Sequence, residues 1–418
     1  MASVFSERVR SDASPLSGES MYAFLDRVAG PVWDRIRSLI EDWVNSYPAT
    51  DQADILGPLR SSDDMKFTAA YWELLLYHGL KALGFEVFCH PEVPGTKKRP
   101  DFLVGRDKCS FYLEAKILGE NAVDRRRDGV RNQIYHELNA RVRSDDFAVQ
   151  VQFDRESDQA IPIRKLANVT QSWLDGLDVN EVRRVAQAAG PLGAAPYIWE
   201  DQPTGWTVAL VPVLKNSRRG GRITGITGGD VSWVDDRKPI RKALDEKTHR
   251  YGNELGKPFV VALGLLRPFA DDTDVMDALF GSEVYLFDPS TGVGNSARRP
   301  DGLWIGPDGP RARRLSAALV ASYVAPWLSA HTELKLWKNP WAEFPLDCDA
   351  GGAVTTIEPK DDGSLSASNA TVSTGDLFNL PSDWPGPEPA FPRKLPLYYA
   401  PTLHQLPLPA HTLRACSA

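Results

Sequence analysis

The sequence predicts an α/β protein with a mixed central sheet flanked by helices and extended by further α/β elements. Three observations carry this expectation. Apolar residues recur at helical spacing through 20–43 and again through 64–83, so the chain opens with amphipathic helices. Strand-like runs follow at 85–88, 102–104 and 111–117, separated by turn residues. Helical and strand-like segments then alternate to about residue 345, the pattern of crossover connections between parallel strands.

Taken in order, residues 1–18 are small and polar. Met21, Phe24, Leu25, Val28, Val32, Ile36, Leu39, Ile40 and Trp43 mark one apolar stripe, interrupted at Gly30-Pro31. Ser62-Asp63-Asp64 caps the next helix, whose buried stripe includes Phe67, Ala70, Tyr71, Leu74 and Leu75, and Gly84 ends it. Three strands come next. The third alternates: Phe111, Leu113, Ala115 and Ile117 share one face, and Glu114 and Lys116 share the other. An arginine-rich helix is expected over 124–143, with 147–153 as a fourth strand lying parallel to the third in the same sheet. Further on, the spacing predicts helices at 164–187, 238–255 and 274–280, and strands at 207–214, 258–264 and 283–287; the segment 315–327 reads equally as helix or strand. These readings divide the chain into a helical segment 1–61, a core 62–155, an α/β region 156–347 of unknown role and a Pro/Gly/Ser-rich tail 348–418, read as extended rather than packed.

Composition narrows the function classes. With 42% hydrophobic and 25% charged residues, this is a globular chain able to bury a core. A net charge of −7 gives no bulk attraction to polyanions, so nucleic-acid contacts would need local basic clusters. Lys97-Lys98-Arg99 and Arg125-Arg126-Arg127 with Arg131 are such clusters, although runs of this kind are as often solvated faces. Four scattered cysteines without a C-x-x-C pair argue against a zinc ribbon or a disulfide framework and suit a reducing compartment. With neither an apolar signal region nor a long apolar run, a cytoplasmic protein without membrane contact is expected. No H-E-x-x-H, G-x-S-x-G or dinucleotide fingerprint is present.

The chemistry concentrates in two short stretches. Pro100-Asp101 opens the second strand and Glu114-Ala115-Lys116 lies in the third, joined by the turn Gly105-Arg106-Asp107-Lys108. Two carboxylates and a lysine on adjacent strands suit a divalent cation and a water; the competing reading is a same-face salt bridge worth about 0–1 kcal/mol. Glu73 sits in the apolar run Tyr71-Trp72-Glu73-Leu74-Leu75, where a carboxylate is costly unless paired or metal-linked, or else faces outward. A second Arg299-Pro300-Asp301 has no acid-x-lysine at suitable distance and serves as an internal control.

Together, helix, strand, Pro-Asp and Glu-x-Lys over about 62–153 resemble the PD-(D/E)XK, or restriction-endonuclease-like, nuclease superfamily. The resemblance implies a core of helix, three strands, helix and strand. It also implies hydrolysis of phosphodiester bonds, in DNA more than in RNA, with bacterial restriction, repair or phage defence as the settings such a fold suggests. Asp101, Glu114 and the carbonyl of Ala115 would hold Mg²⁺ or Mn²⁺, Lys116 would orient the attacking water, and Glu73 would reach the metal directly or through water. Lys97, Lys98, Arg99, Arg125, Arg126, Arg127, Arg131 and Gln133 would meet nucleic acid, and Tyr135 lies on the same predicted helix as Gln133. A homodimer or a partner protein is a further expectation. The alternative is a catalytically inactive nucleic-acid-binding or scaffolding protein on the same fold.

Overall fold

The computed structural model describes residues 3–11, 19–119, 122–190, 193–215, 223–224, 236–251, 255–266, 270–288, 293–360 and 365–386. The chain forms two units, a core made mainly of 19–120 and 234 onward and an inserted unit over 121–233.

The core begins with α1 (Met21–Arg27), α2 (Pro31–Ser46), α3 (Gln52–Leu59) and α4 (Asp64–Ala82). Asp63 caps α4 by accepting the Met65 backbone N–H at 2.9 Å, and Gly84 turns the chain away at φ +80°. Three strands follow, β1 (Glu86–Cys89), β2 (Phe102–Arg106) and β3 (Cys109–Leu118), paired antiparallel. After the insertion come α8 (Arg237–Thr248) and β7 (Phe259–Leu265), then α9 (Asp272–Phe280) and the hairpin β8 (Glu283–Asp288) and β9 (Val293–Arg298). The core closes with β10 (Ile305–Gly306), β11 (Gly309–Pro310), β12 (Ala317–Ser322), β13 (Leu334–Lys338), β14 (Thr355–Pro359), β15 (Leu365–Ser368) and the short α10 (Thr374–Leu377).

One mixed sheet of eight strands runs in the order β1-β2-β3-β7-β12-β13-β14-β15. Its two faces are covered by separate apolar clusters. Phe111, Leu113, Ala115 and Ile117 pack with α1, α2 and α4 on one face, the set that alternation predicts. On the other, Tyr112, Val261 and Leu263 pack with Ile240, Ala243 and Leu244 of α8 and with α9. Glu114 and Lys116 therefore lie on a face that helices cover, where sequence alone leaves one side of the strand open.

The inserted unit holds α5 (Ala122–Arg141), β4 (Phe147–Arg155), α6 (Ile163–Asp175), α7 (Val179–Ala189), β5 (Tyr197–Asp201) and β6 (Trp206–Leu214). The expected fourth strand of the main sheet is corrected here. The segment 147–153 belongs to β4, which pairs antiparallel with β6 in a three-stranded sheet of order β4-β6-β5. Its apolar face is completed locally by Ile134, Leu138 and Val142 of α5 and by Leu166 and Leu174 of α6. The parallel neighbour of β3 is β7, with Glu114 beside Val261 and Ala115 beside Ala262. The crossover helix directly before it is α8, not α5.

Three smaller expectations also change. The helix expected over 164–187 is two helices, α6 and α7, separated at Gly176. The described residues of the tail, 348–360 and 365–386, are packed: β14 and β15 extend the sheet and Trp384 is buried. Cys109 and Cys348, 239 residues apart, form a disulfide, with Cα atoms 5.6 Å apart. No spacing rule could have paired them. Among the described residues no helix is long and apolar enough to cross a membrane.

Candidate active site

The candidate site is built at one end of the strand pair β2–β3. The register pairs Phe102 with Leu113, so continuing it by one residue sets Asp101 beside Glu114. Asp101 Oδ2 accepts the Ala115 backbone N–H at 2.6 Å, which pins the Pro-Asp segment across the start of the Glu-x-Lys segment. The Asp101 carbonyl accepts the backbone N–H of His90 at 2.9 Å. His90 holds φ +46°, a left-handed conformation uncommon for a residue with a side chain. Glu73 on α4 opens into the same cleft as Asp101, a cavity of about 520 Å³ also lined by Asp51, Asp54, His90, Lys97 and Arg99.

Electrostatics sets this group apart from the ordinary surface. Burial, followed by the charges of Asp101 and Glu114, pushes Glu73 up to about 8. Burial and then Glu114 push Asp101 up to about 6, against the opposing effects of the Ala115 N–H and Lys247. Three carboxylates thus repel one another in a partly desolvated place. A hard divalent cation with oxygen ligands relieves that condition; Glu73 and Asp101 open on the cleft while Glu114 is buried, and the three do not bring a ligand atom each within 4.8 Å of one another, so such an ion would have to draw them together.

Glu114 has partners that sequence reasoning missed. It is 1% exposed. Its Oε1 accepts from Lys247 Nζ and, at 2.9 Å, from Arg250 Nη1, and its Oε2 accepts from the Tyr251 hydroxyl. Lys247 lies in the last turn of α8, and Arg250 and Tyr251 come just after the His249 that caps it. Tyr251 also reaches the carbonyl of Arg99 at 3.2 Å, bridging the Arg-Pro-Asp segment to Glu114. Burial beside Glu114 drives the Tyr251 phenol upward, so it stays a neutral donor. The competing reading of a Glu114–Lys116 salt bridge is not met: Glu114 pairs with Lys247 and Arg250. Lys116 remains half-buried on β3. A signal for the missed residues did exist, because Lys247 and Tyr251 are four apart in the last helical pattern before the apolar run 258–264.

The remaining predicted residues separate. Lys97 and Arg99 line the cleft. Arg99 pairs with Glu92 at 2.6 Å on the exposed rim, and Lys98 is exposed. The side chains of Arg125, Arg126 and Arg127 lie outside the described residues. Arg131 is engaged within the inserted unit, bonding Glu156 and lying 5.1 Å from the Phe153 ring centre. Gln133 is exposed on α5, and Tyr135 packs edge-on against Phe153. His78 is a core histidine: a ring nitrogen meets the Trp43 carbonyl at 2.9 Å, and burial lowers it to about 4. The second Arg-Pro-Asp is a brace, since Asp301 accepts the Ser282 N–H at 2.8 Å and pairs with Arg237 of α8 at 3.3 Å.

Across the cleft, Asp51, Asp54 and His90 bring one ligand atom each within 4.8 Å of one another. Exposed carboxylates gather like this without an ion, and nothing else there points to one. Compared with protein-family models, with curated proteins and with solved structures, the chain matches none.

Proposed function

We propose that this chain is a divalent-metal-dependent nuclease, and that α4, β1, β2, β3, α8 and β7 make up a restriction-endonuclease-like core into which 121–233 is inserted. The observation that carries the reading is the strand register that sets Asp101 beside Glu114, with Glu73 opening on the same cleft as Asp101 and Lys116 on the same strand as Glu114. A bound Mg²⁺ or Mn²⁺ would polarise the scissile phosphate and supply hydroxide near neutral pH. Asp101 and Glu114 would hold it with the Ala115 carbonyl, and Glu73 would complete the set. Lys116 would orient the attacking water and offset charge on the phosphate. Lys97 and Arg99 on the cleft wall would grip the backbone, giving affinity without sequence choice. In this reading DNA is the substrate.

A second reading has its own observation. The buried Glu114 is satisfied by three donors from the chain itself, which is how a structural ion cluster looks. It gives a silent nucleic-acid-binding or scaffolding protein. The test is incubation of the purified chain with supercoiled plasmid, linear duplex, single-stranded DNA and RNA, each with Mg²⁺, Mn²⁺ or EDTA, beside Lys116→Ala. Metal-dependent cutting by the wild type alone supports the nuclease and identifies its polymer. Binding unaffected by EDTA, with no cutting, supports the second reading.

A further inference from the structure

The two readings of Glu114 meet in its lone pairs. A carboxylate offers roughly four acceptor positions, two on each oxygen. On Glu114, Oε1 is filled by Lys247 and Arg250, and Oε2 has given one position to Tyr251. No cation can use Oε1 unless one of the two basic side chains leaves. The Lys247 ammonium is in direct contact with Glu114, which the strand register places beside Asp101. Its side chain is 15% exposed, whereas that of Arg250 is 43% exposed and has a route to water.

We infer that Lys247, seconded by Arg250, is a built-in counter-cation that holds the carboxylate cluster when no metal is bound and competes with the metal for it. This rests on the nuclease reading and deepens it by naming what regulates metal entry. A carboxylate as buried as Glu114 needs positive charge beside it, because an unpaired buried charge is costly. A lysine is suited to the part: a compact charge on a flexible four-carbon stem can withdraw and return, which a rigid guanidinium fork does less readily. Once displaced, the ammonium is free to meet a phosphate oxygen next to the metal. Metal entry and phosphate recognition are then linked through one side chain. Tyr251 is neutral and has no such conflict; it positions Glu114 in both states.

The experiment is a calorimetric titration of Mn²⁺ into the full chain, comparing wild type, Lys247→Met, Lys247→Arg and Arg250→Gln. Circular dichroism first establishes which variants are folded. Removing a competing charge at contact distance should tighten Mn²⁺ binding by roughly ten-fold or more in Lys247→Met. Lys247→Arg restores the charge and should return to within about three-fold of wild type. Arg250→Gln tests the same competition from the more exposed side chain and serves if Lys247→Met does not fold; it should tighten binding about two- to five-fold. Unchanged or weaker Mn²⁺ binding in the folded neutral variants overturns the inference and leaves the metal site standing. Absence of Mn²⁺ binding in every protein, wild type included, removes the nuclease reading and the inference together.

Discussion

Replacing Glu73 with glutamine should stabilise the metal-free protein near pH 8 and do nothing of the kind near pH 4. Glu73 is held at about 8 against an ordinary 4.5, first by burial and then by Asp101 and Glu114. Because the folded chain raises this value, it favours the protonated acid. The associated stability is complete below about pH 4.5 and is lost as pH climbs through about 8. Asp101 follows the same sign in the window from 3.8 to about 6. At about 1.36 kcal/mol for each pH unit, the rise at Glu73 sets a ceiling of roughly 4–5 kcal/mol on the cost of ionising it. The cleft is open to water and the two acids titrate together, which brings the expected gain for Glu73→Gln to about 1–3 kcal/mol. Urea unfolding in EDTA at the two pH values measures it directly. A glutamine variant that is neutral or less stable near pH 8 would refute the reasoning, since the carboxylate would then be well paired. Saturating Mn²⁺ should erase or reverse the advantage, because the wild type alone keeps the full ligand set.

Other outcomes follow from the same geometry. Tyr251→Phe leaves Glu114 Oε2 buried without its donor and should cost about 1–3 kcal/mol in urea unfolding. Gly264→Ala would place a methyl group 2.5 Å from Ile117 Cδ1 and 2.9 Å from Val324 Cγ2, so it should cost about 1–3 kcal/mol by overpacking where β7 meets β3. Joint replacement of Cys109 and Cys348 by serine releases the loop between the β2–β3 hairpin and the segment after β13, and should lower stability by about 2–4 kcal/mol under oxidising conditions. Lys116→Ala should abolish cutting while leaving the urea midpoint close to wild type, because the Glu114 ion pairs run to Lys247 and Arg250.

How much of this was legible follows from the range of the signals. The two faces of β3 and the buried stripe of α4 are local facts: alternation at Phe111–Ile117 and helical spacing from Phe67 to Leu75 both reappear in the cluster around Trp72. The placement of Asp101 beside Glu114 was not legible: a turn over Gly105–Lys108 would set Asp101 opposite Tyr112, whereas β2 and β3 stay paired to Arg106 and Cys109, and the shorter loop shifts the register by two residues. Nor was strand partnership across the insertion. The segment 147–153 alternates as convincingly as a core strand because it is one, in a sheet of its own. The apolar run 258–264 reads correctly as a buried strand, yet nothing inside it says that Lys116 will face Leu263. Once the partner strand was misassigned, so was the crossover helix, and Lys247, Arg250 and Tyr251 were lost with it. The site's acids were visible; its bases were 130 or more residues away.

Diffraction from crystals grown with Mn²⁺, recorded for the anomalous signal of manganese, tests the central claim most directly. The account predicts one peak at about 2.1–2.2 Å from oxygens of Asp101 and Glu114, near Glu73, with the Lys247 ammonium turned away from Glu114. A map with no peak among these three carboxylates, and with Lys247, Arg250 and Tyr251 still closed on Glu114, would contradict it.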